Sequence, residues 1–104
     1  MMGTRKDLEA WLLNWSRTHH AGFSAVQVKT LALFRECDSF QELAQKTTGT
    51  DFLSDEQKDG ISIFFNICTI EDIHDYVGGR GPLPKWYDFI LQHHWVMDLK
   101  IISV

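Results

Sequence analysis

The chain of 104 residues contains 44% hydrophobic and 23% charged residues, values typical of a soluble globular domain. This length leaves room for one hydrophobic core, so we expect a single domain over residues 1–104. Ten basic and 14 acidic residues give a net charge of −4, which excludes a general electrostatic attraction to nucleic acids or anionic membranes.

The N-terminus and the two cysteines indicate the cellular compartment. Residues 1–7 lack the apolar stretch of a signal peptide. The longest apolar run, residues 61–68, is far shorter than the roughly 20 residues that cross a bilayer. We therefore expect a cytoplasmic protein without a membrane segment, in which Cys37 and Cys68 stay reduced.

Five helix starts share one short pattern. A Ser or Thr followed three residues later by an acidic or amide side chain forms a capping box, which satisfies amide groups that the first helical turn leaves unpaired. Four such pairs recur every 15 residues, a spacing that suits a helix of ten or eleven residues and a short turn. They begin at Ser24, Ser39, Ser54 and Thr69, and a looser fifth pair begins at Thr4.

Hydrophobic periodicity after Thr4, Ser24 and Ser39 predicts three amphipathic helices. The second helix, about 25–36, has little polar surface and should be well buried. The third, about 40–47, ends at Thr47-Thr48-Gly49, because β-branched residues and glycine are poor helix formers, and a connector to Ser54 follows. The apolar face of the first helix, about 5–19, consists of Leu8, Trp11, Leu12 and Trp15.

Residues 54–68 fit two different structures. The cap at Ser54 predicts a helix, whereas the alternating apolar residues from Ile61 to Ile67 are also typical of a β-strand. A strand requires a partner strand, and only residues 98–103 qualify. We favour the helix and keep open an α+β alternative with strands near 61–67 and 98–103.

Two further helices complete the predicted fold. Thr69 caps a helix bearing Ile70, Ile73 and Val77, and a glycine- and proline-rich loop follows over 78–84. A last helix, about 84–95, carries aromatic residues on both faces. The sequence therefore predicts an all-α domain, a compact bundle of five to six short helices.

The motifs that could carry chemistry are weak. The pairs His19-His20 and His93-His94 lack matching cysteine or carboxylate ligands, and adjacent helical residues point about 100° apart. The loop over 78–84 matches no phosphate-binding pattern. We therefore expect no metal site, no cofactor and no enzymatic activity.

Aromatic and acidic residues favour a protein-binding function. Tyr and Trp dominate interface hot spots, and the C-terminal third is rich in both. Residues 51–75 contain seven acids against one base, which suits a basic partner protein. We expect an inhibitor, adaptor or regulator of another protein, and the apolar tail over 101–104 would also allow a homodimer. The candidate partner-binding residues are Arg80, Tyr87, Tyr76, Asp55 and Asp59.

The alternative hypothesis is a DNA-binding transcriptional regulator with a helix-turn-helix motif. Residues 41–47 are similar to the positioning helix of that motif, and the helix after Ser54 would be the recognition helix. Its acidic residues would repel phosphate, and the connector over 48–53 exceeds the usual three- or four-residue turn. Nucleic acid is therefore the less favoured partner.

Overall fold

The computed structural model describes residues 4–78 and 87–88. Within these ranges there is no β-strand, which confirms the all-α prediction. The loop over 79–84, most of the helix predicted over 84–95 and the segment 98–103 lie outside the described residues, although Tyr87 and Asp88 are helical. The helices of residues 4–78 are α1 (Arg5–Thr18), α2 (Ala25–Phe34), α3 (Phe40–Thr48), α4 (Asp55–Ile67) and α5 (Ile70–Val77).

Each of these helices begins directly after the residue that the capping pattern predicts. The N-cap side chain accepts a hydrogen bond from the backbone N–H three residues further on in all five. The return hydrogen bond that completes the capping box is present in α2, α4 and α5. In α3, Glu42 Oε1 instead accepts from the N–H of Asp38 at 3.2 Å. The 15-residue spacing therefore reflects a real succession of helix and turn.

Residues 61–67 belong to α4, so the strand alternative for this segment is wrong. In a strand, Ile61 and Ile67 would lie on the same face of the sheet. In the structure Ile61 is fully buried and Ile67 is 43% exposed, while Phe64 and Phe65 are both buried. This pattern follows the helical repeat of 3.6 residues because one side of α4 faces the core.

Helix α2 lies at the centre of the fold and packs against α1, α3 and α4. Four of its apolar side chains are buried, as the sequence predicted: Val28, Leu31, Ala32 and Phe34. Trp15 of α1 contacts Phe64 of α4, with ring centroids 4.8 Å apart. The Trp15 indole N–H also donates to Asp72 at 3.3 Å, which fixes the start of α5 against α1.

Gln27 connects the first turn of α2 to α4. Its Oε1 accepts from the N–H of Ser24 and completes the capping box, and its Nε2 donates to the carbonyl O of Glu56 at 2.9 Å. Gly60 of α4 lies against the same side chain, since a Cβ atom there would be 2.8 Å from Gln27 Cγ and 3.0 Å from Gln27 Cβ. This close approach explains a glycine in the middle of a helix.

Gln57 makes the reciprocal connection from α4. Its side chain is 3% exposed, and its Oε1 accepts from the N–H of Ser54 at 2.9 Å. Its Nε2 donates to Thr30 Oγ1 in α2 at 3.1 Å and to Thr47 Oγ1 in α3 at 2.9 Å. One carboxamide therefore caps α4 and joins three helices. We call the contacts of Gln27, Gly60 and Gln57 the α2–α4 junction.

The substitution Gly60→Ala should lower the free energy of unfolding by about 1 kcal/mol. The gain in helix propensity of about 1 kcal/mol is smaller than the overpacking cost of about 2 kcal/mol where the new methyl group meets Gln27. In a Gln27→Ala background the same change should cost less, because the 2.8 Å contact with Cγ is removed and only the 3.0 Å contact with the Cβ atom of residue 27 remains. Urea unfolding followed by circular dichroism measures both effects, and an equal loss in the two backgrounds would contradict the contact.

The two cysteines should differ in reactivity. Neither cysteine is in a disulfide bond; Cys37 is buried in the core and Cys68 is half-buried. Burial raises the pKa of Cys37 to about 11, so at pH 8 only about one Cys37 thiol in a thousand is ionised. Iodoacetamide should modify Cys68 first in the folded protein, as measured by peptide mass spectrometry. Equal rates at the two positions in the folded protein, rather than only in urea, would contradict this expectation.

Candidate functional site

The predicted partner-binding residues differ in their accessibility. Asp55 and Asp59 are exposed in the first half of α4. Tyr87 is half-buried, and Tyr76 is fully buried. Arg80 lies outside the described residues. The two acidic residues are thus the predicted positions that the structure leaves fully open to a partner.

Tyr76 is a core residue, so its place on a partner-binding surface is wrong. Its ring lies 5.0 Å from that of Phe64, centroid to centroid, and its hydroxyl donates to the carbonyl O of Leu31. Burial raises the pKa of Tyr76 well above its ordinary value. The Tyr76 hydroxyl therefore forms a hydrogen bond between α5 and α2 and does not face solvent.

Tyr87 also contributes to the core. Its ring packs against the buried cluster, and part of the side chain remains exposed. Burial raises the pKa of the Tyr87 phenol, and the thiol of Cys68 adds to this shift. One part of the Tyr87 side chain therefore packs near the α4–α5 connection, and the other part faces solvent.

The carboxylates of Asp55 and Asp59 are available for intermolecular contact. They lie four residues apart and so share one side of α4. Asp55 is in the first turn, where the helix dipole favours a negative charge. The ion pairs found within residues 4–78 are Arg5–Glu36 and Lys46–Glu42, so neither aspartate is neutralised by a cation of this segment.

Phe52 is the functional candidate that the sequence analysis missed. Its side chain is 79% exposed, more than any other large hydrophobic residue that the structure describes. It lies in the α3–α4 connection, two residues before the N-cap Ser54. The available signal was an aromatic residue outside both neighbouring helical patterns, in a connector that otherwise contains Gly49, Thr50, Asp51 and Leu53.

The backbone around Phe52 is fixed by two threonine side chains. Thr50 Oγ1 accepts from the Phe52 N–H at 3.2 Å, and the Thr50 hydroxyl donates to the Phe52 carbonyl O at 3.0 Å. The N–H of Thr50 donates to Thr48 Oγ1, and the Thr48 hydroxyl lies 2.8 Å from the carbonyl O of Ala44 in α3. The exposed ring is therefore attached to a loop of defined conformation.

Asp51 further constrains this loop. Its Oδ1 accepts from Gln45 Nε2 at 3.0 Å and lies 3.4 Å from Gln41 Nε2, so the carboxylate is held against α3. Gly49 ends α3 in the left-handed conformation, with φ of 73°, which reverses the chain toward the loop. Asp51 thus supports the loop, whereas no hydrogen bond or ion pair within residues 4–78 engages the side chain of Asp55 or Asp59.

Phe52, Asp55 and Asp59 together define what we call the Phe52 surface. Phe52 and Asp55 are three residues apart, so their Cα atoms are separated by at most about 11 Å. The surface combines one exposed large apolar side chain with two exposed carboxylates that follow it in the chain. Such an arrangement can fill an apolar pocket and at the same time pair with basic groups at its rim.

A groove of about 320 Å³ lies over the outward side of α2. Val26, Lys29, Thr30 and Leu33 line it at the i, i+3, i+4 and i+7 spacing of one helical face. Helix α1 contributes one border, and the ends of α3 and α4 contribute the other. We call this the α2 groove, and its remaining lining residues are Arg5, Glu9, Thr47 and Gln57.

Metal-binding clusters and membrane-spanning helices are absent from the part of the chain that the structure describes. No group of three or more His, Cys, Asp and Glu residues there could hold a metal ion. His19 is engaged locally, with Nδ1 2.9 Å from the Trp15 carbonyl O and its ring stacked on that indole, and His93-His94 lie outside the described residues. None of the described helices has the length and hydrophobicity needed to cross a bilayer.

The chain was also compared with known proteins. Searches of protein-family models, of curated proteins and of solved structures found no match. The functional argument therefore rests on the accessible groups described above.

Replacing Tyr76 by Phe should lower the free energy of unfolding by about 1 kcal/mol, because the buried hydrogen bond to Leu31 is lost. Thermal and urea unfolding measure this change. The matched substitution Phe52→Ser should leave stability within about 0.5 kcal/mol, since this side chain is exposed. Wild-type stability of Tyr76→Phe would contradict the structural role given to this hydroxyl.

Proposed function

We propose that this protein is a non-enzymatic binding module that attaches to another protein through the Phe52 surface. The observation that supports this most directly is the combination of a 79% exposed phenyl ring with a hydrogen-bonded backbone on both sides of it. Burying a Phe side chain is worth about 1.5–3 kcal/mol. That free energy is unused within the described fold and is available to an interface.

The fixed loop favours binding for an entropic reason. Ordering a flexible loop at an interface consumes part of the binding free energy. Here the side chains of Thr48, Thr50 and Asp51 already hold the loop through contacts within the chain. A partner would therefore meet Phe52 in a conformation that needs little rearrangement, as is typical of an interface anchor.

The charge of the surface indicates the chemistry of the partner. Asp55 and Asp59 are exposed three and seven residues after Phe52, and the whole chain carries a net charge of −4. A complementary surface would have an apolar pocket bordered by Lys or Arg residues, because like charges across an interface are unfavourable. We therefore propose a basic protein partner, on which this module acts as an inhibitor, adaptor or regulator.

A pull-down from lysate of the native cells tests the proposal. Tagged wild type should retain a stoichiometric protein, and Phe52→Ser should lose most of it, with a drop in affinity of at least about tenfold. Ile70→Ser is the matched control, because Ile70 is also an exposed hydrophobic residue, at 58%, and lies at the start of α5 outside this surface. This control should retain the partner.

The double variant Asp55→Asn, Asp59→Asn examines the charge separately. Its association rate should fall, and the remaining binding should depend less on salt than that of the wild type. Equal retention of the partner by wild type and Phe52→Ser would contradict the proposal. Recovery of duplex DNA with no protein would favour the helix-turn-helix hypothesis instead.

A further inference from the structure

The α2 groove and the Phe52 surface are complementary in size. The groove volume of about 320 Å³ exceeds the roughly 150 Å³ of an apolar cavity that accommodates benzene. Val26, which is 46% exposed, and the half-buried Leu33 supply apolar walls for a ring. The ring of Phe52 does not occupy the groove of its own chain, since it is 79% exposed.

The polar base of the groove can be covered by a ring at little cost. Thr30 and Gln57 are buried there, and Gln57 Nε2 uses both of its protons, one for Thr30 and one for Thr47. Gln57 Oε1 is likewise occupied by the Ser54 N–H. The usual cost of burying polar atoms comes from donors left without a partner. A ring that covers these groups leaves no Gln57 donor in that state.

The groove offers the Phe52 surface one cation, Lys29, and carries one like charge, Glu9, on its α1 border. Lys29 lies on the groove, and the described residues place no carboxylate within ion-pair distance of its ammonium group. Arg5 on the same border is already paired with Glu36, with N–O distances of 2.7 and 2.9 Å. Lys29 is therefore the cation available to Asp55 and Asp59 of an incoming Phe52 surface.

We propose that the α2 groove binds the Phe52 surface of a second copy of this chain. This inference rests on the role proposed above for Phe52 and adds a second copy of the chain as a further occupant of that surface. Each copy has one Phe52 surface and one groove, so the contact joins different surfaces of the two molecules. Self-association would cover Phe52 and so compete with binding to another protein.

Sedimentation velocity of the full chain between about 10 μM and 1 mM tests the inference, because a contact with a single aromatic anchor is expected to be small and weak. The wild-type sedimentation coefficient should rise across this range. Phe52→Ser and Val26→Glu should each raise the concentration needed for association at least about tenfold. Val26→Glu should fold normally, since Val26 is exposed and an acidic residue in the first turn of α2 suits the helix dipole.

Mixing the two variants distinguishes the proposed contact from other modes of association. Phe52→Ser keeps an intact groove and Val26→Glu keeps an intact Phe52 surface, so an equimolar mixture should form a one-to-one complex that neither forms alone. Lys29→Glu should weaken association of the wild type, and adding Asp59→Lys should restore part of it. A mixture that stays monomeric, or a charge exchange that restores nothing, would overturn the proposed pairing of surfaces.

The outcomes also separate this inference from the proposed function. A wild type that stays monomeric at 1 mM, while Phe52→Ser loses its captured partner, overturns self-association and leaves the proposed function standing. In another outcome, Val26→Glu abolishes self-association and Phe52→Ser still retains the captured partner. That outcome supports this inference and overturns the proposed function. Unchanged behaviour of Phe52→Ser in both experiments overturns both.

Discussion

The α2–α4 junction is the contact on which the arrangement of the other helices depends. Gln27 and Gln57 each complete a capping box in their own helix and then donate to another helix. Each side chain thus satisfies a local requirement of helix initiation and a long-range requirement of packing at the same time. Because α2 also packs against α1 and α3, fixing α4 on α2 determines where most of the described chain lies.

Both candidate surfaces derive from this junction. Gln57 donates to Thr47 near the end of α3, and the loop that carries Phe52 begins directly after that helix. The same Gln57 lies at the base of the α2 groove beside Thr30. The core therefore positions an exposed aromatic group and a groove relative to one central helix.

Local features of the fold could be predicted from the sequence, and contacts between distant residues could not. The capping residues give all five helix starts because a Ser or Thr side chain acts on an N–H only three residues away. The location of Tyr76 depends on Leu31, which is 45 residues distant, so a tyrosine predicted to bind a partner is instead in the core. The exposure of Phe52 likewise depends on which of the described side chains cover it in three dimensions, so its position outside the helical patterns did not by itself establish it.

The loop that presents Phe52 is held by the side chains of Thr48, Thr50 and Asp51, all of them solvent-exposed. Surface positions of this kind tolerate substitution with little effect on the stability of a fold. Mutations there can therefore alter the direction in which the aromatic ring points while the buried helices stay unchanged. The proposed binding surface can therefore change under selection separately from the helices that support it.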